Sequence, residues 1–231
     1  MELVNRNLYP SRAKAVAAIE AGLVLVNGAV AKKSSQAILE ADVIVAGALP
    51  YVSGRGSLKL VRALDYFNVN PSGMVCLDVG ASTGGFTEVL LNRGAKRVYA
   101  VDVGTNQLVL ELKNDSRVVS LEQTDIRTLP VQEIVNLIVV DVSFISLTAI
   151  VDNLKAWGAK KIIVLVKPQF EVPREVAAKT NGVIKDKRWH DWSIERVSNA
   201  FSEVGFVLSG LTESPVKGGS GNTEFLAYFK F

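Results

Sequence analysis

Two charged residues, Asp141 and Lys167, each follow an apolar run that reads as a buried strand. Asp141 ends the run Leu137–Val140, and Lys167 ends the run Ile162–Val166. A charge in such a place is costly if it is buried without a partner, and the carboxyl ends of parallel strands form the edge where α/β sheets bind ligands. Both are candidate reacting groups; an ordinary surface charge is the alternative for each.

A glycine-rich segment, Cys76–Thr87, combines a strand with its exit loop. Glycines let the backbone turn sharply and approach a ligand closely, and doubly wound sheets bind nucleotide cofactors at such a crevice. The spacing is Gly-x-x-x-Gly-Gly, in contrast to the Gly-x-Gly-x-x-Gly of dinucleotide sites. The residues expected to contact a cofactor here are Gly80, Ser82, Thr83, Gly84 and Phe86.

Three acids stand at the ends of three successive predicted strands. Asp78 precedes the loop, where its carboxylate could bind the methionine ammonium of S-adenosyl-L-methionine, directly or through water; NAD has no such cation. Asp102 closes the second strand and is placed to accept hydrogen bonds from ribose hydroxyls. Asp125 follows the third strand and could bind the adenine amino group. The alternative is that the glycines only make a turn and the acids only cap helices.

Apolar strands alternate with helix-length segments through most of the chain, which predicts a mainly parallel, doubly wound, Rossmann-like α/β sheet. The candidate strands are Met74–Leu77, Arg97–Val101, Val118–Leu121, Leu137–Val140, Ile162–Val166, Val204–Gly210 and Thr223–Phe229. Thr212–Asn222 joins the last two strands without a helix-length segment, so a terminal antiparallel hairpin is expected. A helix is predicted over Leu58–Phe67 from its apolar face.

The first part of the chain predicts a small α+β unit. Ser11 is expected to cap a helix that runs to about Ala21. Leu23–Val26 and Ala29–Ala31 read as two strands joined by Asn27-Gly28, the pair that favours a type I′ turn. Asp42–Ala46 reads as a third strand. The predicted organisation is a small domain over residues 1–47, a linker over 48–57 and a large domain over 58–231.

The charge is unevenly distributed. Residues 1–60 carry seven Lys/Arg and four Asp/Glu, so the whole net charge of +3 lies there, where it could meet phosphates or simply be solvated. Cys76 is the one cysteine and His190 the one histidine, which excludes disulfides and Cys-rich or His-pair metal sites and fits a reducing cytosol. We find no signal-peptide pattern and no apolar run of membrane-spanning length. We therefore expect a cytoplasmic protein with no metal.

Several motifs in a fixed order give the chain a family resemblance. They are Ser11–Ala15 with Gly22–Gly28, Arg55–Leu60, Asp78–Thr87, Asp141–Leu147, Lys167–Glu171 and Gly218–Leu226. In these the chain resembles the TlyA family, often labelled hemolysins, in which an S4 RNA-binding domain precedes an FtsJ-like ribose methyltransferase domain. The resemblance implies a class I methyltransferase sheet that uses S-adenosyl-L-methionine and acts on ribosomal RNA, at a cytidine.

The family uses a Lys-Asp-Lys-Glu tetrad for 2′-O-methylation, which by motif match is Lys59, Asp141, Lys167 and Glu224. A ribose 2′-hydroxyl is a poor nucleophile that must lose its proton as it attacks, and a lysine acts as base only when desolvation or a second cation lowers its pKa. We expect Lys167 to be the base and Lys59 the neighbouring cation. Asp141 would orient Lys167, and Glu224 would position the other lysine or the ribose. No metal is required.

The resemblance also implies that the S4-like unit docks on ribosomal RNA or a ribosomal subunit, through phosphate contacts that position the protein without reading sequence. The candidate RNA-binding residues are Arg6, Arg12, Lys14, Lys32, Lys33 and Arg55. Ser57 stands where the family has a second glycine, so the backbone before Lys59 is expected to adopt positive φ less readily. The S4-like unit is expected to be shortened at its start.

Three other readings remain at this point. One is a catalytically inactive S4-type RNA-binding factor for ribosome assembly. A second is a membrane-lytic protein, as the hemolysin label suggests, although the sequence offers no basic amphipathic lytic helix. A third is an NAD-dependent oxidoreductase, which the loop spacing and Asp78 disfavour.

Overall fold

A computed structural model describes residues 2–9, 12–20, 22–46 and 56–231 of the 231-residue chain. The chain divides into two compact units, residues 1–55 and residues 56–231. Among the described residues, no helix is both long and apolar enough to cross a bilayer.

The described residues of the first unit form two short helices and a three-stranded antiparallel sheet. Its elements are α1 (Glu2–Asn5), α2 (Arg12–Glu20), β1 (Val24–Val26), β2 (Ala29–Val30) and β3 (Ile44–Ala46), and the strand order is β2-β1-β3. Asn27 and Gly28 have φ of 51° and 80°, as the predicted type I′ turn requires. Helix α1 was not predicted. Strand β3 begins two residues later than predicted, because the carboxylate of Asp42 accepts the Leu39 amide and makes a turn there.

The second unit is a seven-stranded sheet with helices between its strands. Its strands are β4 (Val75–Val79), β5 (Arg97–Val101), β6 (Val118–Leu121), β7 (Leu137–Val140), β8 (Lys161–Val166), β9 (Val207–Glu213) and β10 (Phe225–Lys230). Its helices are α3 (Gly56–Tyr66), α4 (Gly85–Asn92), α5 (Leu110–Lys113), α6 (Val151–Ala156), α7 (Pro168–Glu171), α8 (Arg174–Lys179) and α9 (Lys187–Glu203), with a 3-10 helix at Leu147–Ala149.

The strand order β6-β5-β4-β7-β8-β10-β9 confirms the predicted doubly wound α/β sheet and its terminal antiparallel hairpin. Strands β4 to β8 pair with one another in parallel, whereas β10 is antiparallel to both β8 and β9. Strand β7 is fully buried, as expected for a strand covered on both faces. The hydrophobic core surrounds this sheet and includes Trp157, Phe201 and Phe229.

Several predicted boundaries in this unit were wrong by up to three residues. Helix α3 begins at Gly56 rather than Leu58, so the last two residues of the predicted linker belong to the helix. Strand β9 begins at Val207 rather than Val204, because α9 continues to Glu203 and Gly205 makes the following turn with φ of 99°. Most of the predicted linker, including Arg55, and the predicted cap Ser11 lie outside the described residues.

Candidate active site

The four charged candidates meet at the carboxyl edge of the large sheet. Asp141 follows β7 and Lys167 follows β8. Glu224 precedes β10, and because β10 runs antiparallel with Phe225 opposite Val166, its start lies at the same edge. Lys59 comes from the first turns of α3, far away in sequence. The fold thus brings together residues that are up to 165 positions apart.

These four side chains form a chain of alternating charges. Lys59 Nζ lies 2.8 Å from Glu224 Oε2 and 3.5 Å from Asp141 Oδ2. Lys167 Nζ lies 2.6 Å from Asp141 Oδ1, as an ion pair whose angle falls outside that of a hydrogen bond. Lys167 also donates to Ser143 Oγ at 2.8 Å. Asp141 therefore stands between two cations, and each lysine has an acid beside it.

All four side chains are largely withdrawn from water. Their exposed fractions are 11 % for Lys59, 19 % for Asp141, 8 % for Lys167 and 3 % for Glu224. Buried charges persist only when they are paired, and here two positive and two negative charges balance. A site with this arrangement can hold or move a proton at a lysine while the neighbouring charges stay compensated.

Ser57, the residue at the family's second glycine, does not disturb Lys59. It lies in the first turn of α3 and is buried, and it is not among the residues with positive φ. Gly85 at the start of α4 packs against its backbone nitrogen, since a Cβ on Gly85 would lie 3.1 Å from it. The backbone at Ser57 therefore does not need the positive φ that a glycine would allow before Lys59.

A cleft of about 490 Å³ adjoins the tetrad and shares Asp141 with it. Of the predicted cofactor residues, Gly80, Ser82, Asp102 and Asp125 line this cleft. Gly80 has φ of 85°, and a Cβ there would lie 2.5 Å from the Asp141 carbonyl oxygen, so only glycine fits. The glycine thereby lets the cofactor loop and the strand end that carries Asp141 lie side by side.

Asp102 organises the wall of the cleft through backbone contacts. Its Oδ2 accepts the Ser82 amide and its Oδ1 accepts the Gly104 amide, each at 2.7 Å. Each carboxylate oxygen can accept a second hydrogen bond, so ribose hydroxyls remain possible partners. Asp125 is held by Arg127, whose Nε and Nη2 lie 3.0 Å and 2.5 Å from its Oδ2, and this pair lowers the pKa of Asp125.

The other predicted cofactor residues lie away from this lining. Gly84 is buried with φ of 101° and packs against Leu112, and Phe86 is buried in α4, which gives both a packing role. Thr83 is exposed. Asp78 is fully buried, where its Oδ2 accepts the Thr87 hydroxyl at 2.7 Å and its Oδ1 has no partner.

Three residues of the site were missed by sequence reasoning. Arg127 and Gln107 line the cleft, and Phe144 stands at its wall with φ of 65° and 92 % of its surface exposed. The Phe144 ring lies 5.2 Å from the Phe170 ring. Its exposure together with its place in the lining makes it a candidate contact for a ligand, and exposure cannot be seen in the sequence. No group of three or more possible metal ligands occurs among the described residues.

The predicted RNA-binding residues of the first unit fall into two groups. Arg12, Lys32 and Lys33 are exposed. Arg6 instead pairs with Glu2 and donates to the carbonyls of Asp42, Leu39 and Glu40, so its guanidinium holds the unit together. The RNA contact expected of Arg6 stays a prediction beside this structural role. The side chain of Lys14 lies outside what the structure describes.

Comparisons with known proteins match both units. A model of the FtsJ-like methyltransferase family matches residues 51–231, and a model of the S4 domain matches residues 2–44. "Hemolysin A" of Brachyspira hyodysenteriae is 42 % identical over an alignment of 231 positions, which covers 95 % of this chain and 93 % of that protein. The "16S/23S rRNA (cytidine-2'-O)-methyltransferase TlyA" of Mycobacterium tuberculosis (strain CDC 1551 / Oshkosh) is 42 % identical over 237 residues, with 99 % and 88 % covered.

A solved structure has the same fold. The putative hemolysin from Lactococcus lactis superposes with a TM-score of 0.76 and is 46 % identical. The match covers 79 % of this chain and 89 % of that one.

Gly80→Ala tests the contact between the loop and the strand end. Gly73 also has positive φ, but a Cβ there meets nothing within 4 Å, so Gly73→Ala is the matched control. Backbone strain alone should cost the control about 1 kcal/mol of unfolding free energy. Gly80→Ala should lose a further 1–3 kcal/mol or so because its Cβ meets the Asp141 backbone. Equal losses in urea unfolding would contradict the close approach.

Asp78→Asn tests the buried carboxyl. Burial raises the pKa of Asp78 from 3.8 to about 7, against the opposing hydrogen bond from Thr87. Between these values the folded chain holds a proton that the unfolded chain has released. The contribution of Asp78 is therefore fully present below pH 3.8 and is lost as the pH rises through about 7.

Urea unfolding near pH 5 and pH 7.5 measures this contribution. The wild type should lose on the order of 2 kcal/mol more than Asp78→Asn between these pH values. A residual slope of the same sign is expected from Glu171, since burial also raises its pKa. Asp152→Asn, at an exposed carboxyl of α6, should keep the wild-type slope; a wild-type slope in Asp78→Asn as well would refute the assignment.

Proposed function

This chain belongs to the FtsJ-like methyltransferase family and carries an S4 domain ahead of that unit, and from this premise we propose that it methylates ribose 2′-hydroxyls of ribosomal RNA with S-adenosyl-L-methionine. One observation carries the proposal: Asp141 belongs both to the alternating chain of four charges and to the lining of the cleft. A methyl donor in the cleft and a hydroxyl at the lysines would therefore be neighbours. The name of the Mycobacterium tuberculosis relative supports cytidine of ribosomal RNA as the target. A ribosomal RNA substrate would place the protein in the cytoplasm.

The residues of the cleft fit S-adenosyl-L-methionine. A volume of about 490 Å³ is within the usual range for sites of small molecules. The bare backbone at Gly80 allows close approach, and Asp102 has lone pairs for ribose hydroxyls. The unpartnered Oδ1 of Asp78 would gain a partner from an ammonium group or a water bound to it. When bound, the cofactor supplies a methyl group on a sulfonium, which is a good leaving group.

Lys167 is the proposed general base. Its ammonium would first release a proton to solvent, and the neutral amine would then accept the proton of the 2′-hydroxyl as the oxygen attacks. Ser143 Oγ and Asp141 Oδ1 hold that nitrogen in place. Glu224 pairs with Lys59 and holds it in place. Asp141 therefore has a second cation, Lys59, beside it in addition to Lys167. Because these groups are held before substrate arrives, placement for in-line attack supplies much of the rate.

Phe144 is the proposed platform for the target base. RNA bases that are splayed out of their helix are commonly stacked on aromatic side chains. Phe144 is exposed, and it follows Ser143, which contacts Lys167. A base stacked on its ring would keep the ribose of the same nucleotide near Lys167. The target nucleotide would be swung out of its stack to reach this position.

Lys167→Ala tests the proposed reaction. Methyl transfer to ribosomal subunits that lack the modification should fall by on the order of 100-fold or more, because the general base is lost. Isothermal titration should show that S-adenosyl-L-methionine still binds, since Lys167 is not part of the cleft lining.

The matched control is Lys161→Ala, at the other end of the same strand, which should keep its turnover. Near-wild-type turnover in Lys167→Ala would rule out Lys167 as the base. A wild-type protein that binds RNA but neither binds nor uses the cofactor would favour a ribosome-assembly factor without catalysis.

Replacing Arg12, Lys32 and Lys33 with Gln tests docking by the S4 domain. Each phosphate contact releases counterions, so loss of three contacts should weaken RNA binding and reduce the slope of log affinity against log salt by about 2. Fluorescence anisotropy with ribosomal RNA over a salt series measures both quantities.

The control removes the same charge from the large unit. Lys96, Lys155 and Lys160 are exposed, and Lys96 and Lys160 lie at the amino edge of the sheet, before β5 and β8. Their replacement with Gln should leave the slope unchanged. Equal slopes for the two triple variants would show that docking does not use the three S4 cations.

A further inference from the structure

Glu171 is a buried carboxyl group that the proposed reaction does not use. It is the last residue of α7, the short helix that follows Lys167 directly, and only 2 % of its surface is exposed. Burial raises its pKa, while hydrogen bonds from Ser146 and Leu147 act in the opposite direction. An acid is rarely kept in such a position unless its oxygens are bound.

Both oxygens of Glu171 bind the β7 exit loop, residues 141–147. Oε2 accepts the Ser146 hydroxyl at 2.5 Å, and Oε1 accepts the Leu147 amide at 2.9 Å. Ser146 is also the cap of the 3-10 helix, since its Oγ accepts the Thr148 amide. The carboxylate therefore fixes the far end of the loop whose first residue is Asp141.

The carboxylate of Glu171 lies outside both the cofactor cleft and the group of four charged side chains. Neither Glu171 nor Ser146 lines the cleft, and Glu171 lies four residues beyond Lys167. Its backbone carbonyl accepts Arg196 of α9 at 3.1 Å, which anchors the end of α7 to the long helix. The side chain thus joins an anchored helix to a loop.

The segment between the two ends of this loop needs such restraint. Phe144 has φ of 65°, a conformation that costs a residue with a Cβ free energy, and its exposed ring has little packing to offset that cost. At one end Asp141 and Ser143 contact Lys167, and at the other end Ser146 and Leu147 contact Glu171. The β7 exit loop is therefore held at both ends by one segment, residues 167–171.

We propose that Glu171 is a positioning residue for methyl transfer, which fixes the β7 exit loop against α7 so that Asp141, Ser143 and Phe144 keep their places beside Lys167. The proposal rests on the proposed function only for its kinetic consequence. Without the carboxylate, the loop would keep its contacts at Lys167 but lose those at its far end. A displacement of about 1 Å at a reacting group can reduce a rate on the order of 100-fold.

Steady-state kinetics of Glu171→Ala, with ribosomal subunits and S-adenosyl-L-methionine both varied, is the first test. We expect kcat to fall on the order of 10-fold to 100-fold, with the KM of the cofactor nearly unchanged because Glu171 does not touch the cleft. Glu171→Gln should recover much of kcat, since its amide oxygen can accept the Leu147 amide and Ser146 can accept from its nitrogen.

A double-mutant cycle with Ser146 separates this role from general destabilisation. Ser146→Ala should lower kcat less than Glu171→Ala, and the double variant should be no worse than Glu171→Ala, because the Ser146 contact acts through the same carboxylate. Phe206→Leu, at a buried residue between α9 and β9, serves as the control with lowered Tm. A kcat loss in Glu171→Ala no larger than in a Phe206→Leu control of equal Tm would overturn the proposal.

Amide hydrogen exchange tests the same inference without any assay of activity. In Glu171→Ala the amides of residues 142–147 should exchange on the order of 10-fold faster, while Phe206→Leu leaves them unchanged. Unchanged exchange in Glu171→Ala would refute the restraint of the loop. If the wild type transferred no methyl group, the proposed function would fail, and this measurement would still decide whether Glu171 holds the loop.

Discussion

Two lysines and two carboxylates share one poorly hydrated space at the carboxyl edge of the large sheet, and the arrangement of the site depends on their balance. Removal of any one leaves an uncompensated charge, because Asp141 contacts both lysines and Glu224 contacts Lys59. This balance requires four separate elements to meet at one place: the starts of α3 and β10 and the ends of β7 and β8. The antiparallel insertion of β10 next to β8 meets that requirement for Glu224, since it turns the start of the strand toward the edge where β8 ends.

Acidic side chains hold the backbone of the loops that line the cleft beside these charges. Asp102 binds the amides of Ser82 and Gly104, and Glu122 binds those of Gln107 and Leu108, so two carboxylates shape two loops. Gly80 lets the first of these loops touch the strand end that carries Asp141. A cofactor would meet a wall that is already formed, which lowers the ordering cost of binding.

Buried acids have two different tasks in this unit. Both oxygens of Glu171 accept hydrogen bonds from the β7 exit loop, as expected of a carboxylate with a structural role. Asp78 is fully buried, yet one of its oxygens has no hydrogen-bond partner. Burial raises the pKa of both, so the distinction comes from their partners and not from their burial.

The sequence by itself determined the class of fold and the family. The alternation of apolar strands and the hairpin after α9 follow from local patterns, which can be recognised without knowledge of distant contacts. Its errors lie at Gly56, Asp42 and Gly205, where a turn or a helix start depends on a few hydrogen bonds or on one backbone angle. It also named Lys59, Asp141, Lys167 and Glu224 through family motifs, and it predicted that Asp141 orients Lys167 and that Glu224 positions the other lysine or the ribose, without the distances between them.

Only the tertiary structure decided what each candidate touches. It placed Asp141 between two lysines, turned Gly84 and Phe86 into packing residues, engaged Arg6 within the first unit and exposed Phe144 beside Ser143. Contacts between residues far apart in the chain depend on strand order and register, which no local pattern encodes. The hydrogen bond between Glu171 and Ser146 is of this kind, because it joins residues 25 positions apart that follow two different strands, β8 and β7.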